Sequence, residues 1–229
     1  MPPPRSPPDT PARTRLVPVW DLPTRLFHWA VVMLVIGLYA SERLNRMDLH
    51  VLAGETLLAL LIFRILWGFC GAETARFRSF LGSPARALRH LAHLARREPD
   101  RTAGHNPAGG WMVLALLGLL LGETLSGLYT NNDVANEGPF TEIVPAPIAN
   151  AITAAHAILW DVLLGAIALH LLAIAAYALL ERRNLVGPML TGAKRLPPDV
   201  PPPRFARPMR AVLLAAAAAG AAALISTLL

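Results

Sequence analysis

The apolar residues of this chain are gathered into five long blocks, separated by stretches rich in charge, proline or glycine. Each block has about 20 residues or more, which is the length an α-helix needs to cross the hydrocarbon core of a bilayer. The alternation of short strands and turns that is typical of a membrane barrel is absent from the sequence. The pattern therefore predicts an all-α integral membrane protein with helices at 22–40, 49–71, 109–130, 152–180 and 210–229.

Composition supports this class and suggests how the chain is divided. Hydrophobic residues make up 54% of the 229 residues and charged residues only 16%, whereas a soluble domain carries about 25% charged residues. We expect a disordered Pro-rich cytoplasmic tail at 1–15, a four-helix transmembrane domain at 16–182, a cytoplasmic linker at 183–209 and an additional transmembrane helix at 210–229. A signal peptide ending near Ser41 is an alternative for the first span. Cleavage there would remove His28, and the tail is long and Pro-rich for such a peptide.

The charges in the connections predict how the chain is oriented in the membrane. The connection at 72–108 holds seven Arg against three acidic residues, and the one at 181–208 holds six Lys or Arg against two. The connection at 131–151 holds three acidic residues and no basic one. Because basic loops stay in the cytoplasm, we place the N-terminus and both basic connections there. The net charge of +6 is thus a topology signal and does not indicate a nucleic-acid partner.

Two short motifs are typical of helix N-termini. Asp21 stands just upstream of Pro23, and Asn106 directly precedes Pro107. A short polar side chain caps the first turn, where proline is tolerated because its missing N–H has no intrahelical partner there. These motifs predict the starts of the first and third spans.

The basic stretch at 83–97 has apolar residues at helical spacing among four Arg. This pattern predicts an amphipathic helix on the anionic cytoplasmic leaflet. His90 and His93 fall within it, but no carboxylate or Cys cluster accompanies them as metal ligands would require. We therefore expect both to be solvated surface residues, and His105 in the following turn to be structural.

Four histidines lie within predicted spans, and two of them share the fourth. His156 and His170 are fourteen residues apart, which in an α-helix is about 21 Å of rise and about 40° of azimuth. The two rings therefore share one helix face, one near each membrane surface. By the predicted topology, His28 of the first span lies at the cytoplasmic depth with His170. His50 of the second span lies at the outer depth with His156.

Two neutral imidazoles on different helices suit bis-axial ligation of haem iron. Structural zinc would need four protein ligands, and non-haem iron would need an added carboxylate. Cys70 is the only cysteine, so no C-x-x-C-H attachment motif is possible. The residues favour two non-covalent haem b groups, with the iron ligands paired as His28–His170 and His50–His156. For any one of these histidines taken alone, a hydrogen bond to a neighbouring helix is the better interpretation.

Three further residues are candidates for haem binding. Gly54 follows His50 by one turn and would leave room for a flat macrocycle against the second span, although ordinary helix packing explains it equally well. Arg64 lies within the second span, where a charge is costly, and a haem propionate is one partner for it. Snorkelling of Arg64 to the surface is the alternative. Arg25 precedes His28 by three residues and would serve the same haem or meet a lipid phosphate.

Three acidic residues, Glu55, Glu123 and Asp161, also fall within the spans, all in the outer half. Such residues are functional candidates because burying a charge in a membrane is costly. They would orient a His ligand by a hydrogen bond, move protons in quinone chemistry, or bond helix to helix. The sequence leaves these roles open.

Several stretches of the chain resemble a known family. The run VWDLPTRLFHW at 19–29 resembles the first helix of the bacterial cytochrome b561 and nickel-iron hydrogenase cytochrome b family, and His50 followed by Gly54 resembles its second. The runs FRILWG at 63–68 and GHNPAG at 104–109 look like the branch whose members sit beside c-type cytochromes. The resemblance covers roughly 17–181 and implies two b haems. It carries the ligand positions over to His28, His50, His156 and His170.

The resemblance also implies electron exchange across the membrane between the quinone pool and a partner redox protein. That partner would be a c-type cytochrome or a membrane-bound oxidoreductase such as hydrogenase. The tail and the fifth span fall outside the four-helix core of the family. A superoxide- or quinone-linked oxidoreductase acting alone is an alternative within the redox class. A haem-free transporter using buried His and acidic residues is a further one, although no broken spans or inverted repeats support it.

Overall fold

The protein is a bundle of long helices closed at one end by short elements, as seen in a computed structural model that describes residues 14–92, 101–131 and 138–227. Two short strands are β1 (Arg15–Pro18) and β2 (Ala193–Leu196). The helices, in chain order, are α1 (Leu22–Arg43), α2 (Met47–Cys70), α3 (Phe77–Phe80), α4 (Pro84–Ala92), α5 (Pro107–Gly127), α6 (Ala146–Leu180), α7 (Val186–Thr191) and α8 (Pro208–Thr227). Single 3-10 turns lie at Glu73–Ala75 and Thr141–Ile143.

Within the described residues, five helices are long and apolar enough to cross a membrane, namely α1, α2, α5, α6 and α8. The all-α membrane fold expected from the apolar blocks is confirmed. The largest difference is in α6, which begins at Ala146 and not near Ile152. Pro147 lies in its first turn, where a missing N–H breaks no hydrogen bond, so the helix extends further back than the hydropathy indicates.

Both predicted capping motifs are formed. The Asp21 carboxylate accepts a hydrogen bond from the Thr24 backbone N–H at 3.2 Å. The Asn106 side-chain oxygen accepts one from the Gly109 N–H at 2.7 Å. Each cap satisfies a backbone donor that the first helical turn leaves without a partner. These bonds fix where α1 and α5 enter the bundle.

The four helices of the predicted domain share one apolar core. Leu57 and Leu61 of α2 pack with Leu120 of α5 and Leu163 of α6, and apolar residues of α1 lie against this cluster. Helix α8 lies outside the four, against α2, where its small residues Ala211 and Ala218 pack near Phe63 and Trp67. Small side chains let two helices approach closely, which is how the fifth span attaches to the bundle.

The short elements gather where α1 begins and α6 ends. We call this the β end, because β1 and β2 pair there as antiparallel strands with Arg15 opposite Leu196. We call the other end, where α1 joins α2 and α5 joins α6, the loop end. The Gly192 carbonyl at the β end accepts hydrogen bonds from the N–H groups of Val19 and Trp20 at 2.8 and 3.0 Å. Gly192 has a φ of 86°, a conformation that favours glycine.

The predicted tail and linker meet at the β end. Strand β1 begins at Arg15, the last residue of the predicted tail, and residues 1–13 lie outside those described. The predicted linker at 183–209 carries α7 and β2, so it folds back onto the start of α1. The linker therefore forms part of the surface that covers the bundle.

Helix α4 forms within the stretch predicted to be amphipathic, but its histidine is not a solvated surface residue. His90 is half-buried, and its Nε2 lies 2.9 Å from the hydroxyl of Tyr177 on α6. The same hydroxyl accepts a hydrogen bond from Asn106 Nδ2 at 2.8 Å. The expectation of a solvated His90 is wrong, because α4 docks onto the ends of α5 and α6. His93 lies outside the described residues.

Candidate haem-binding site

At the loop end, the His50 ring is held by the backbone of α1. Its Nδ1 lies 3.1 Å from the carbonyl oxygen of Leu38. A carbonyl oxygen only accepts, so this bond requires the hydrogen on Nδ1 and leaves Nε2 as an unprotonated nitrogen with a lone pair. A metal-ligating histidine is typically held in this way through its other nitrogen. The contact therefore prepares His50 to donate Nε2 to a metal.

The His156 ring is fixed in the same tautomer by α5. Its Nδ1 lies 2.9 Å from Glu123 Oε2 and 2.9 Å from Ser126 Oγ. The Ser126 hydroxyl donates its own hydrogen to the Glu123 backbone carbonyl at 3.0 Å. Ser126 Oγ therefore faces Nδ1 as an acceptor, as the carboxylate does. Both contacts place the hydrogen on Nδ1 and leave Nε2 free.

At the β end, His28 and His170 lie at the same level of the bundle. Tyr39 of α1 and Trp160 of α6 stack with their ring centres 5.7 Å apart, which aligns the two antiparallel helices. From that contact, His28 is eleven residues toward the β end on α1 and His170 is ten residues toward it on α6. Both distances are about 15 Å of helix rise.

His50 and His156 both lie toward the loop end, but their levels along the bundle match less closely. The carbonyl that holds His50 belongs to Leu38, which directly precedes Tyr39. His156 is four residues from Trp160, toward the loop end, or about 6 Å of rise. The hydrogen bonds described for the two rings go to α1 and α5 and do not join the rings to each other.

Several features of the site fit a planar cofactor that brings most of its own ligands. All four rings are half-buried. His28 Nδ1 is buried and has no hydrogen-bond partner among the described residues. A Cβ added to half-buried Gly54 would meet no heavy atom within 4 Å, so space lies beside α2 next to His50. In the described ranges no group of three or more His, Cys, Asp or Glu side chains could hold a metal. A metal bound by one His pair therefore has to carry further ligands, as haem does.

Arg64 is buried under the β end and does not reach the surface. The residue is only 3% exposed, and its Nη1 donates to the Ala75 carbonyl at 3.3 Å. Its guanidinium carbon lies 5.3 Å from the centre of the Phe77 ring. Snorkelling is thus wrong for Arg64, and its position inside the bundle is compatible with a buried anionic partner.

Arg25 is held by the linker. Its Nη1 donates to the Leu190 carbonyl of α7 at 2.6 Å. Its Nε is buried and has no hydrogen-bond partner among the described residues. This contact with α7 replaces the lipid phosphate considered from the sequence, and the unpartnered Nε leaves one donor for another ligand.

His105 is a residue whose importance the sequence did not indicate. Its ring lies between Trp20 and Phe80, with ring centres 4.6 and 4.9 Å away. Burial, together with smaller contributions from Arg64, His170 and His28, lowers the pKa of His105 to about 3. Its Nδ1 is buried and has no hydrogen-bond partner in the described part of the chain. His105 is therefore a neutral group beside the His28–His170 pair, and the neighbouring cap at the start of α5 was the signal that could have placed it there.

The three acidic residues of the spans have different surroundings. Glu123 is 7% exposed and contacts His156. Glu55 is half-buried and Asp161 is exposed on the bundle surface. Among the ion pairs and hydrogen bonds described for the chain, Glu123 is the acid that meets one of the four histidines. Of the three acids, Glu123 is thus the one placed to orient a histidine.

Comparison with known proteins gives one match. No curated protein and no solved structure matches the chain. A family model described as prokaryotic cytochrome b561 matches residues 19–192, which is about three quarters of the chain and includes all four histidines, Gly54, Arg25 and Arg64. Helix α8 lies beyond the matched range. The chain belongs to the prokaryotic cytochrome b561 family, and is thus a multi-pass bacterial membrane protein that binds b-type haem and transfers electrons.

Proposed function

We propose that the protein holds two b-type haems, one toward each end of the bundle, with iron ligands paired as His28–His170 and His50–His156. The observation that carries this proposal is the state of the two loop-end rings. Leu38 and Glu123 each fix the hydrogen on Nδ1, so both Nε2 atoms are left with lone pairs for a metal. Two free imidazole nitrogens from different helices would hold the iron of a b-type haem.

The second pair is supported by its level in the bundle. The stack of Tyr39 on Trp160 supports a common depth for His28 and His170. Along α1, ten residues separate His28 from the carbonyl that holds His50, or about 15 Å. Along α6, fourteen residues separate His156 from His170, or about 21 Å. Two sites at this spacing would cover much of a bilayer about 30 Å thick.

We assign Gly54, Arg25 and Arg64 to haem binding. Gly54 leaves space beside α2. Arg25 and Arg64 would face the propionates of the β-end haem, because a buried guanidinium favours a carboxylate partner. When bound, each haem supplies a reversible one-electron couple at iron. What the chain would supply is a pair of imidazole nitrogens for each haem and the guanidinium groups of Arg25 and Arg64 for the β-end haem.

Family membership supports a proposal for the exchange partners, and the charge of the loops supports one for the orientation. We propose that electrons pass between the quinone pool and a partner redox protein, either a c-type cytochrome or a membrane-bound oxidoreductase such as hydrogenase. The excess of Arg and Lys in the connections at the β end supports a cytoplasmic position for that end and for the N-terminus. The loop end would then face outward.

The test of haem type and number is a dithionite-reduced minus oxidised spectrum combined with a pyridine haemochrome assay. We expect a b-type α band and two haems per chain. A preparation supplied with haem that shows one haem per chain, or none, would overturn the proposal.

The pairing is tested by single replacements of the four ligands. His28→Ala and His170→Ala are expected to remove the same haem, and His50→Ala and His156→Ala the other, as judged by haem stoichiometry and by the component missing from a redox titration. His90→Ala is the matched control, because His90 bonds to Tyr177 and belongs to neither pair. Loss of one common haem from His28→Ala and His50→Ala would contradict the assignment.

The exchange partner is tested with the purified protein. We expect the dithionite-reduced protein to be reoxidised by a soluble quinone analogue, and to co-purify with a redox protein from native membranes. Sustained turnover of superoxide and quinone by the isolated chain would instead favour an oxidoreductase that acts alone.

A further inference from the structure

The two loop-end histidines are held by acceptors of different charge. His50 Nδ1 bonds to the neutral backbone carbonyl of Leu38. His156 Nδ1 bonds to the carboxylate of Glu123 at 2.9 Å. Glu123 is only 7% exposed, and its second oxygen, Oε1, is buried without a hydrogen-bond partner among the described residues. The bond to His156 therefore lies in a region of low water content, where electrostatic interactions are strong.

A hydrogen bond to a carboxylate changes the basicity of a histidine that binds a metal. Hydrogen bonds to an ionised acceptor are roughly twice as strong as neutral ones, and such a bond raises the basicity of the other ring nitrogen of a ligating histidine. A more basic ligand and a nearby negative charge both stabilise the oxidised, more positive iron. Proteins in general adjust the potential of a haem through such hydrogen bonds and through burial.

We propose that Glu123 is a positioning residue that sets the tautomer of His156 and lowers the midpoint potential of the haem that His156 holds. This inference rests on the proposed function. Ser126 has a supporting role, because its hydroxyl is committed to the Glu123 backbone and its oxygen faces the same Nδ1. The carboxylate supplies the charge, and the serine restricts the ring to one orientation.

The test is Glu123→Gln in the haem-loaded protein, followed by a potentiometric titration of the α band. Glutamine keeps the side-chain length and an acceptor oxygen, but removes the negative charge. The expected result is about a tenfold gain in the equilibrium constant for reduction of one haem, which for a one-electron couple is a positive shift of about 59 mV. The component that shifts should be the one that His156→Ala removes. The largest g value of the same oxidised haem, measured by low-temperature electron paramagnetic resonance, should change with it.

Glu55→Gln is the matched control. It removes a carboxylate of the same charge, also toward the loop end, but the bonds described at His50 and His156 do not involve Glu55. If Glu123 acts through His156, Glu55→Gln shifts the potential by much less and leaves the g value unchanged. Ser126→Ala keeps the carboxylate, so most of the lowering of the midpoint potential should remain in this variant.

The outcomes separate the inference from the proposed function. Equal shifts in Glu123→Gln and Glu55→Gln, or a shift of the haem that His28→Ala removes, overturn the role of Glu123 while two haems remain bound. Loss of only the His156 haem from Glu123→Gln, with both haems kept in Glu55→Gln, supports the positioning role. A wild-type chain without two b haems refutes the proposed function itself, before any variant is measured.

Discussion

Asp21→Ala is expected to destabilise the protein by about 4 kcal/mol, because this one carboxylate holds three parts of the β end together. Its Oδ1 caps α1 through the Thr24 N–H at 3.2 Å, and its Oδ2 accepts from Trp67 Nε1 of α2 at 3.0 Å. It also interacts electrostatically with buried Arg64. Asp21 itself is only 7% exposed. The change therefore removes a helix cap, a buried hydrogen bond and a compensating charge at once.

The magnitude follows from these three contributions. Loss of an N-cap costs about 1 kcal/mol. Leaving the buried Trp67 N–H, on a residue 1% exposed, without its acceptor costs about 2 kcal/mol. Removing the negative charge near Arg64 adds about 1 kcal/mol for charges that are not in direct contact. Because the three contributions come from one side chain, we expect their full sum only for Asp21→Ala, which removes all of them.

Asp21→Asn separates these contributions. Asparagine is an equally good cap, but it has one acceptor oxygen for two donors and carries no charge. We expect about 3 kcal/mol of destabilisation for Asp21→Asn. In a Trp67→Phe background, which removes the indole donor, Asp21→Asn should be less costly by about 1–2 kcal/mol, a coupling that a double-mutant cycle measures.

The assay is reversible unfolding in mixed detergent micelles, followed by tryptophan fluorescence and by the haem α band. Glu42→Ala is the control, because its ion pair with Arg43 at 3.4 Å lies between side chains that are 54% and 65% exposed, and such surface pairs add little stability. If Asp21→Ala proves no more destabilising than Glu42→Ala, or if Trp67→Phe leaves the cost of Asp21→Asn unchanged, the reasoning from these contacts is wrong.

Three further outcomes follow from other parts of the structure. Gly54→Leu should lower the haem content by filling the space beside His50, whereas Gly118→Leu, also with no atom within 4 Å of its added Cβ but on an exposed surface, should not. Tyr177→Phe should increase hydrogen exchange in α4, because His90 loses its partner, at a cost of about 1–2 kcal/mol. The pKa of His105 falls from 6.5 to about 3 on folding, so between these pH values His105 binds a proton in the unfolded chain but not in the folded one. The free energy of unfolding should therefore decrease as the pH drops from 6.5 toward 3.

Each of these has a result that would contradict it. Equal haem loss from both glycine variants would mean that bulk in the membrane, and not the space at Gly54, is responsible. Unchanged exchange in α4 after Tyr177→Phe would mean that the hydroxyl does not hold that helix. His105→Gln, which does not titrate, should flatten the stability profile between pH 6.5 and pH 3, so an unaltered slope would assign the acid sensitivity to other groups.

Much of the bundle was predictable because its signals are local. Hydropathy finds a span from about 20 consecutive residues, and the caps at Asp21 and Asn106 are read from one short motif each. The boundaries were predicted less well where apolar content is weak, as at the start of α6. The pairing of β1 with β2 could not be read from the sequence at all. Each strand has four residues, and their partners lie about 180 positions apart.

The surroundings of individual side chains were the least predictable part. His90 was expected in solvent and bonds to Tyr177, 87 residues away. Snorkelling to the surface was one expectation for Arg64, but the residue lies buried beside Ala75 and Phe77. A position in a periodic pattern tells which face a side chain takes, but its partner depends on how helices from distant parts of the chain are packed together.

Hydrophobic length and the 3.6-residue period are properties of single helices, so the sequence was enough to find the segments long and apolar enough to cross a membrane and to put His156 and His170 on one helix face. The ring nitrogen that each loop-end histidine has to offer is set by the packing of helices against one another. That depends on acceptors from other helices, Leu38 on α1 for His50 and Glu123 on α5 for His156. A hydrogen bond fixes a tautomer only when its geometry is known to within a few tenths of an ångström, and no sequence spacing contains that distance.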